Sequence, residues 1–189
     1  IFGGGFNAGA KTRTHTPKSK GENYKTEIKV SLEEAFKGTK RLLLINEQKI
    51  EVNLKPGIYD GQNLKISGKG KSSIDGSNTG DLLINIKVAE DQKYKRISND
   101  LYLDIEVDFL KAILGGEITV TTFAGKVKVN ISPMSQSGKM LKLKSMGMPE
   151  YKNPEKKGDL FLKINIQIPS SFTDEELKII KQLNSIKKV

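Results

Sequence analysis

The sequence predicts a mainly β fold, with two tandem small β-sandwich domains that each carry one short helix, followed by a C-terminal helix. Two observations lead to this prediction. A pattern of apolar residues, turn glycines and a proline occurs twice in the 189 residues, with the second copy 77 residues after the first. Within each copy, short segments alternate apolar and polar residues, which is typical of half-buried strands.

The two copies stay in register through their turns as well as their strands. Pro56 corresponds to Pro133, and after one inserted residue Gly80-Asp81-Leu82 corresponds to Gly158-Asp159-Leu160. Solenoid repeats have periods of about 20–50 residues, so a longer period indicates two copies of a small domain. The predicted segments are a disordered Gly/Phe-rich tail (residues 1–21), a first β-domain (22–92), a second β-domain (93–170) and a C-terminal dimerisation helix (171–189).

Each copy is predicted to open with a strand that leads into a short capped helix. In the first copy the alternation begins at Tyr24, Ser31 and Glu34 form a capping box, and Gly38 ends the helix. In the second copy Asp108 is the expected N-cap. The other strands, mostly antiparallel, are predicted at residues 41–45, 49–54, 63–67 and 82–88, and at 117–121, 126–131, 140–144 and 160–168.

The C-terminal segment lies outside the repeat and has a helical pattern. Thr173 is the predicted N-cap, and acidic residues fill the first turn, where they favour the helix dipole. Leu177, Ile180 and Leu183 form an apolar stripe. This stripe has two interpretations at this point: it packs back on the second domain, or it forms the seam of a homodimer.

Lysine dominates the charge of the chain. The formal net charge is +10, and 29 of the 32 basic residues are Lys. Nucleic acid, anionic lipid and acidic peptide are all compatible partners for such a chain. Because the reading of DNA bases favours the rigid fork of Arg, sequence-specific DNA recognition is disfavoured. The alternate spacing of Lys126 and Lys128 favours a simpler interpretation, the solvated face of a sheet.

The residues give no sign of an enzyme, a metal site or a cofactor. The chain has no Cys, which fits a reducing compartment such as the cytoplasm, and its one histidine, His15, lies in a polar stretch without carboxylates. Gly68-Lys69-Gly70-Lys71 follows a strand without the helix that a phosphate loop needs, which favours a turn. No apolar run approaches the ~18 residues of a membrane span, so no membrane partner is expected.

The ordered motifs of the chain resemble the C-terminal half of the Hsp40 (DnaJ-type) co-chaperones. Because it lacks a cysteine-rich zinc insertion, the chain is similar to the type II branch, which includes the bacterial curved-DNA-binding co-chaperone. The chain begins at Ile1 rather than Met, so a fragment is expected, with the J domain of the family missing from it. The motifs that carry the resemblance are residues 30–38, 54–57, 61–70, 80–82, 99–101, 112–116 and 158–160.

The resemblance implies a protein that holds unfolded polypeptide clients and delivers them to Hsp70, as a homodimer. Extended peptides are expected to add to a strand edge of the first domain. Leu44 and Glu47 stand where relatives often have Lys, which implies weaker binding of the acidic Hsp70 tail or the use of Lys49. The implied site residues are Ile28, Leu43, Ile45 and Tyr94 for the peptide, Lys40, Arg41 and Lys49 for the Hsp70 tail, and Leu177, Ile180 and Leu183 for dimerisation.

Several alternatives stay open at this point. Taken without the resemblance, Ile28, Leu43 and Ile45 are best explained as core residues. The net charge of +10 makes a DNA-binding module the rival function, and a purely structural dimer scaffold is a third interpretation. The methionines of the second domain suit either an adaptable surface or the filling of gaps in a core; they are Met134, Met140, Met146 and Met148.

Overall fold

The computed structural model describes residues 21–45, 47–73 and 78–186. The predictions about the Gly/Phe-rich tail and His15 concern residues outside these ranges. Within them the protein is mainly β, with several small sheets, two short helices and a C-terminal helix, which confirms the predicted fold class.

The elements follow the chain in an order that repeats. The first copy contains β1 (Tyr24–Val30), α1 (Leu32–Lys37), β2 (Thr39–Ile45), β3 (Gln48–Leu54), β4 (Asn63–Ile66) and β5 (Leu82–Val88). The second contains β6 (Tyr94–Ile97), β7 (Asp100–Asp108), α2 (Phe109–Leu114), β8 (Gly116–Thr122), β9 (Gly125–Ile131), β10 (Met140–Leu143), β11 (Pro149–Glu150), β12 (Asn153–Lys157) and β13 (Leu160–Gln167). The last element is α3 (Asp174–Ile186).

The predicted repeat is present element by element. The hairpin β2–β3 begins at Thr39 and its counterpart β8–β9 begins at Gly116, an offset of 116 − 39 = 77. Strands β5 and β13 begin at residues 82 and 160, an offset of 78 that reflects the inserted residue. The short strands β6, β11 and β12 were not among the predicted elements.

Sheet topology is equivalent in the two copies. The first contains a sheet of order β1-β5-β4 and the second a sheet of order β10-β13-β7-β6, and each copy adds a two-stranded hairpin. Strands β7 and β13 pair in parallel from Leu101–Leu160 to Asp108–Gln167. The pattern had predicted mostly antiparallel strands, and alternation did not reveal this parallel pair because it carries no information about strand direction.

The described residues form two compact units. One contains residues 21–28, 61–73 and 78–86, and its core includes Ile84 and Ile86. The other contains residues 29–45, 47–60 and 87–186, and the inward face of β7 and β13 supplies much of its core. The domain boundaries proposed at residues 92 and 170 stay predictions.

Both helix caps form as the sequence predicts. The Ser31 amide donates to a Glu34 carboxylate oxygen at 2.9 Å, and the Glu34 amide donates to the Ser31 hydroxyl at 3.1 Å, which completes the capping box. Gly38 then ends α1 at φ +78°. In the second copy the Asp108 carboxylate accepts from the Leu110 amide at 2.9 Å.

The aspartate of each Gly-Asp-Leu motif holds a loop against its strand. In the first copy, one Asp81 carboxylate oxygen accepts from the Gly68 amide at 3.2 Å, and the other lies 2.8 Å from the Lys65 ammonium. The Asp81 side chain is only 4% exposed. Gly68-Lys69-Gly70-Lys71 is therefore part of a turn, in agreement with the prediction.

The second copy repeats this arrangement closer to solvent. Asp159 accepts from the Ser145 amide at 2.9 Å and lies 2.6 Å from the Lys142 ammonium. The hydrogen bond from Lys142, followed by that from the Ser145 amide, lowers the pKa of Asp159 below its ordinary value. The Gly-Asp-Leu motif thus leads into its strand and also anchors the preceding loop.

Candidate functional site

The hairpin β2–β3 presents two different faces. Arg41, Leu43 and Ile45 lie on the inward face, where Arg41 and Leu43 are half-buried and Ile45 is buried. The structure therefore brings these three predicted site residues together, as the alternation indicated. Leu42 and Leu44 point outward and are 63% and 71% exposed.

Strand β2 has a free edge. It pairs with β3 in antiparallel register from Thr39–Leu54 to Ile45–Gln48. Within residues 21–45, 47–73 and 78–186, no second strand pairs with β2. Its other edge therefore keeps backbone N–H and C=O groups outside any ladder, and such an edge can template an added strand.

Arg41 is already engaged by the cap of α1. Its guanidinium lies 2.5 Å from Oε1 of Glu34, and Oε2 of the same carboxylate accepts from the Ser31 amide. Glu34 thus links the helix cap to the strand edge. The side chains of Arg41 and Glu34 are 41% and 30% exposed, so an acidic ligand would compete with a partly solvated ion pair.

The two predicted lysines lie on the outward face of the hairpin. Lys40 pairs across the strands with Glu51 at 3.0 Å, and both side chains are mostly exposed. Lys49 is opposite Leu44 in the register, is exposed, and has no ion-pair partner among the described residues. The three predicted tail-binding residues therefore divide between the two faces, with Arg41 apart from Lys40 and Lys49.

Tyr94 is the first residue of β6 and is packed against β8 and the turn that follows it. Its ring stacks on Phe123 with centroids 4.2 Å apart, and its hydroxyl donates to the Thr121 carbonyl at 3.1 Å. Burial, and then the negative charges of Asp91 and Glu33, raise the pKa of Tyr94. Tyr94 also lines an open cleft of about 790 Å³ that the sequence did not indicate, together with Leu32 and Val88.

The remaining predicted peptide-binding residue, Ile28, lies in the core. It is 5% exposed and occupies β1, in the smaller of the two units. This placement agrees with the alternative interpretation of Ile28 as a core residue. The methionines divide as well: Met148 is buried, whereas Met134 and Met140 are 65% and 43% exposed.

The C-terminal helix begins at its predicted cap and has no buried residue. The Thr173 amide and hydroxyl donate to the Glu176 carboxylate at 2.8 and 2.9 Å, and these bonds lower the pKa of Glu176. Leu177 and Ile180 are 39% and 38% exposed, and Leu183 is 57% exposed. The stripe is therefore left uncovered by residues 21–45, 47–73 and 78–186.

Comparison with known proteins gives the family. A sequence model of the DnaJ C terminal domain matches residues 24–169, well over half of the chain. The chain belongs to this family. The match covers both copies of the repeat and the whole of the hairpin β2–β3.

Several relatives are bacterial proteins named as chaperones. Chaperone protein DnaJ 2 of Thermus thermophilus is 32% identical over 183 residues, which are 97% of this chain and 62% of the relative. Chaperone protein DnaJ of Caldicellulosiruptor bescii is 34% identical over 140 residues, 74% of this chain and 36% of the relative. That of Mesoplasma florum is 36% identical over 141 residues, 74% of this chain and 38% of the relative.

The family match and these relatives confirm the resemblance to the C-terminal half of DnaJ-type proteins and agree with a chain that is not an enzyme. The chain spans between about a third and three-fifths of the length of these relatives. Among the helices of the described residues, none has the length and apolar character that crossing a bilayer requires.

Proposed function

We propose that this chain is the client-holding part of a DnaJ-type co-chaperone, which binds extended segments of unfolded polypeptide and passes them to Hsp70. The observation that carries the proposal is the free edge of β2, with Leu43 half-buried on the face that leads to the core. An extended peptide that pairs with this edge gains backbone hydrogen bonds, which do not depend on its sequence. Such tolerance suits a protein that must accept many clients.

Side chains beside the edge supply the preference for unfolded segments. In an added strand, alternate residues point to the same face as Leu43 and Ile45. Apolar residues of the client would cover Leu43, whereas folded proteins keep such residues inside. Tyr94 holds β6 against the β8–β9 hairpin, through its ring on Phe123 and its hydroxyl on the Thr121 carbonyl.

The acidic tail of Hsp70 is proposed to bind first at Lys49 and Lys40 and to reach Arg41 second. Lys49 has no ion-pair partner within the described part of the chain, and the Lys40–Glu51 pair is exposed and easily exchanged. Arg41 would have to release Glu34, a residue that also caps α1. Weak and salt-sensitive tail binding follows from this arrangement.

The test is fluorescence anisotropy of a labelled, unstructured apolar peptide titrated with the protein at low and moderate salt. Leu43→Glu should weaken binding at least about tenfold, because it places a charge where apolar residues of the client would pack. Thr119→Glu is the matched control, since Thr119 is the exposed counterpart of Leu42 in the second hairpin. Undiminished binding by Leu43→Glu would refute the assignment.

The same titration with duplex DNA separates the rival function. DNA binding through lysines would fall steeply between about 50 and 200 mM salt because counterions are released. Peptide binding at the β2 edge should change far less. Salt-sensitive duplex binding without peptide binding would favour the DNA-binding module.

We also propose that α3 dimerises the chain through Leu177, Ile180 and Leu183. These side chains form one apolar stripe and are not buried in the described structure. A dimer would carry two β2 edges, and two sites on one client raise the effective affinity. Light scattering tests this proposal: Leu183→Glu and removal of residues 172–189 should both give monomers.

A further inference from the structure

The Glu34 carboxylate joins the start of α1 to the free strand β2. Its Oε1 lies 2.5 Å from the Arg41 guanidinium, and its Oε2 accepts from the Ser31 amide at 2.9 Å. Each oxygen therefore has its own partner, one on the strand and one at the helix cap. A ligand that takes Arg41 needs to replace only the first of these contacts.

The helix cap keeps this carboxylate beside the strand. The Glu34 amide donates to the Ser31 hydroxyl at 3.1 Å while the Glu34 side chain reaches back to the Ser31 amide. Such a reciprocal pair of hydrogen bonds fixes the direction of the side chain. A carboxylate held in this way is present at Arg41 at high effective concentration, so it competes with any carboxylate that arrives from solution.

The neighbouring acidic residue of α1 is engaged elsewhere. Glu33 pairs with Lys37 one turn along the helix at 2.6 Å, and both side chains are more than half exposed. The charge of Glu33 is therefore offset on the surface of the helix. Of the two glutamates, Glu34 is the one that contacts Arg41.

The repeat does not require this ion pair. In the second copy, Lys111 stands in the place of Glu34. Ile118 stands in the place of Arg41, also 77 residues later in the chain. The carboxylate of Asp108 caps the helix there instead. Because α2 and β8 form without the pair, the fold alone does not account for a glutamate beside Arg41.

The cross-strand ion pair on the outward face is reversed between the two copies. In the first hairpin, Lys40 on β2 pairs with Glu51 on β3 at 3.0 Å. In the second, Glu117 on β8 pairs with Lys128 on β9 at 2.7 Å. Strand β2 therefore carries two consecutive cations, and β8 carries none at the equivalent positions. Charge favours acidic ligands at the first hairpin over the second.

The neutralised arginine lies beside the surface proposed for clients. Arg41 and Leu43 are alternate residues of β2, so their side chains point to the same face, about 7 Å apart along the strand. Apolar residues of an added peptide that cover Leu43 also approach Arg41. Removing water from an unpaired cation is costly, and pairing with Glu34 reduces that cost.

We propose that Glu34 sets the preference of the β2 edge between apolar client segments and the acidic Hsp70 tail. Its carboxylate competes with acidic ligands for Arg41, and it neutralises the guanidinium when an apolar segment is bound. The inference rests on the proposed binding of clients and of the tail, and it adds the residue that balances the two. Without the charge of Glu34, the edge favours acidic segments.

The substitution Glu34→Gln separates this role from the helix cap. Glutamine at this position also completes a capping box, so the variant keeps the hydrogen bond with the Ser31 amide and loses only the charge. Fluorescence anisotropy at low salt measures two labelled, unstructured peptides, one apolar and one with two consecutive glutamates. Glu34→Gln should bind the acidic peptide about two- to fivefold more tightly, in line with the worth of a partly solvated ion pair. It should bind the apolar peptide about twofold more weakly, because an unpaired cation then lies beside it.

Two further variants test whether the effect passes through Arg41. Glu33→Gln makes the same change one residue earlier, at the glutamate paired with Lys37, and should leave the ratio of the two affinities unchanged. In an Arg41→Gln background, Glu34→Gln should no longer shift the ratio, because the two residues act as a pair. A shift that persists without Arg41 would overturn the inference. The gain for the acidic peptide should also fade as salt is raised toward about 1 M.

The outcomes keep this inference apart from the proposed function. If the wild type binds both peptides and Glu34→Gln leaves their affinity ratio unchanged, both binding proposals stand and the inference is overturned. If Glu34→Gln weakens both peptides alike, Glu34 only supports the helix, which also overturns the inference. If the wild type binds neither peptide, the proposed function fails and the inference fails with it.

Discussion

The helices α1 and α2 occupy the same place in two copies of one pattern, yet they meet different surroundings. Around α1, Phe36 is buried and Gly57 allows a backbone to pass within van der Waals distance. Around α2, the corresponding Ile113 and Met134 are open to solvent. The comparison teaches that a repeat specifies its elements independently of what covers them.

The turn that follows the hairpin has a different residue in each copy, Gly57 in the first and Met134 in the second. Gly57 and Met134 both have positive φ, +85° and +57°. Only glycine is free of strain there, and only glycine leaves room for the Pro149 carbonyl. At Met134, where no other described backbone segment lies against the turn, a side chain is tolerated at a similar backbone conformation. An exchange of these two residues therefore gives the largest expected effect.

Gly57→Met should destabilise the protein by about 3 kcal/mol or more, because it adds backbone strain and forces the Pro149 segment away. Met134→Gly should change stability by less than about 1 kcal/mol, since it removes strain and an exposed side chain. Urea unfolding measures both. Equal losses in the two variants would show that the turn of the second copy is enclosed as well.

The next largest difference is expected between the two aspartates that hold the loops, Asp81 in the first copy and Asp159 in the second. Asp81→Ala should cost about 2–3 kcal/mol, because a buried carboxylate loses the Gly68 amide and the Lys65 ammonium. Asp159→Ala should cost less, since that side chain is 24% exposed against 4% for Asp81. Unfolding midpoints test the order, and amide exchange of Gly68 and Ser145 tests its location. A larger loss at Asp159 would contradict the expected order.

Removal of the covering ring tests whether the first copy can be made to resemble the second. Phe123→Ala should cost about 1–2 kcal/mol, because Phe36 and Tyr94 both lose an aromatic neighbour. The control is Phe161→Ala, which removes a ring stacked on Tyr102 on the outward face of its sheet. Near-ultraviolet circular dichroism and urea unfolding measure the two. If Phe123→Ala lost less stability than Phe161→Ala, the Phe123 ring would not be essential to the packing over α1.

The smallest effect is a dependence on pH. The pKa of Asp159 is lower in the folded protein than its ordinary value, first because of Lys142 and then because of the Ser145 amide. Its stabilisation is therefore complete above the ordinary value of about 4 and is lost as the pH falls through the lowered one. The stability difference between wild type and Asp159→Asn should narrow from about pH 5 to pH 2. A difference that stays constant over this range would exclude the carboxylate as its source.

Much of the fold could be predicted because it is encoded by neighbours in the chain. The capping box of Ser31 and Glu34 needs only residues three apart, and the ten predicted strands need only alternation. The inward face of β2 at the candidate site could likewise be predicted from the alternation of side chains along the strand. Strand β12 was not predicted because its sequence, NPEKK, has no apolar alternation. It pairs only with the two residues of β11.

Other features of the site depend on partners that are distant in the sequence. Tyr94 was predicted to bind peptide, and its ring also packs on Phe123, 29 residues later in the chain (123 − 94). Arg41 was assigned to a ligand, while Glu34 already lies against it across the start of the hairpin. No local pattern in the sequence could indicate either contact.

The sequence by itself determined the repeat, the helix caps, the faces of the strands and the family, because each depends on side-chain periodicity or on backbone hydrogen bonds within a few residues. Within the part of the chain that the structure describes, tertiary structure alone decided that α1 is covered and α2 is open, that β7 and β13 run in parallel, and that β2 keeps a free edge. These outcomes depend on which distant segment packs against each surface. Because hydrophobic attraction is non-directional, an apolar residue in the sequence does not indicate which residue it will contact.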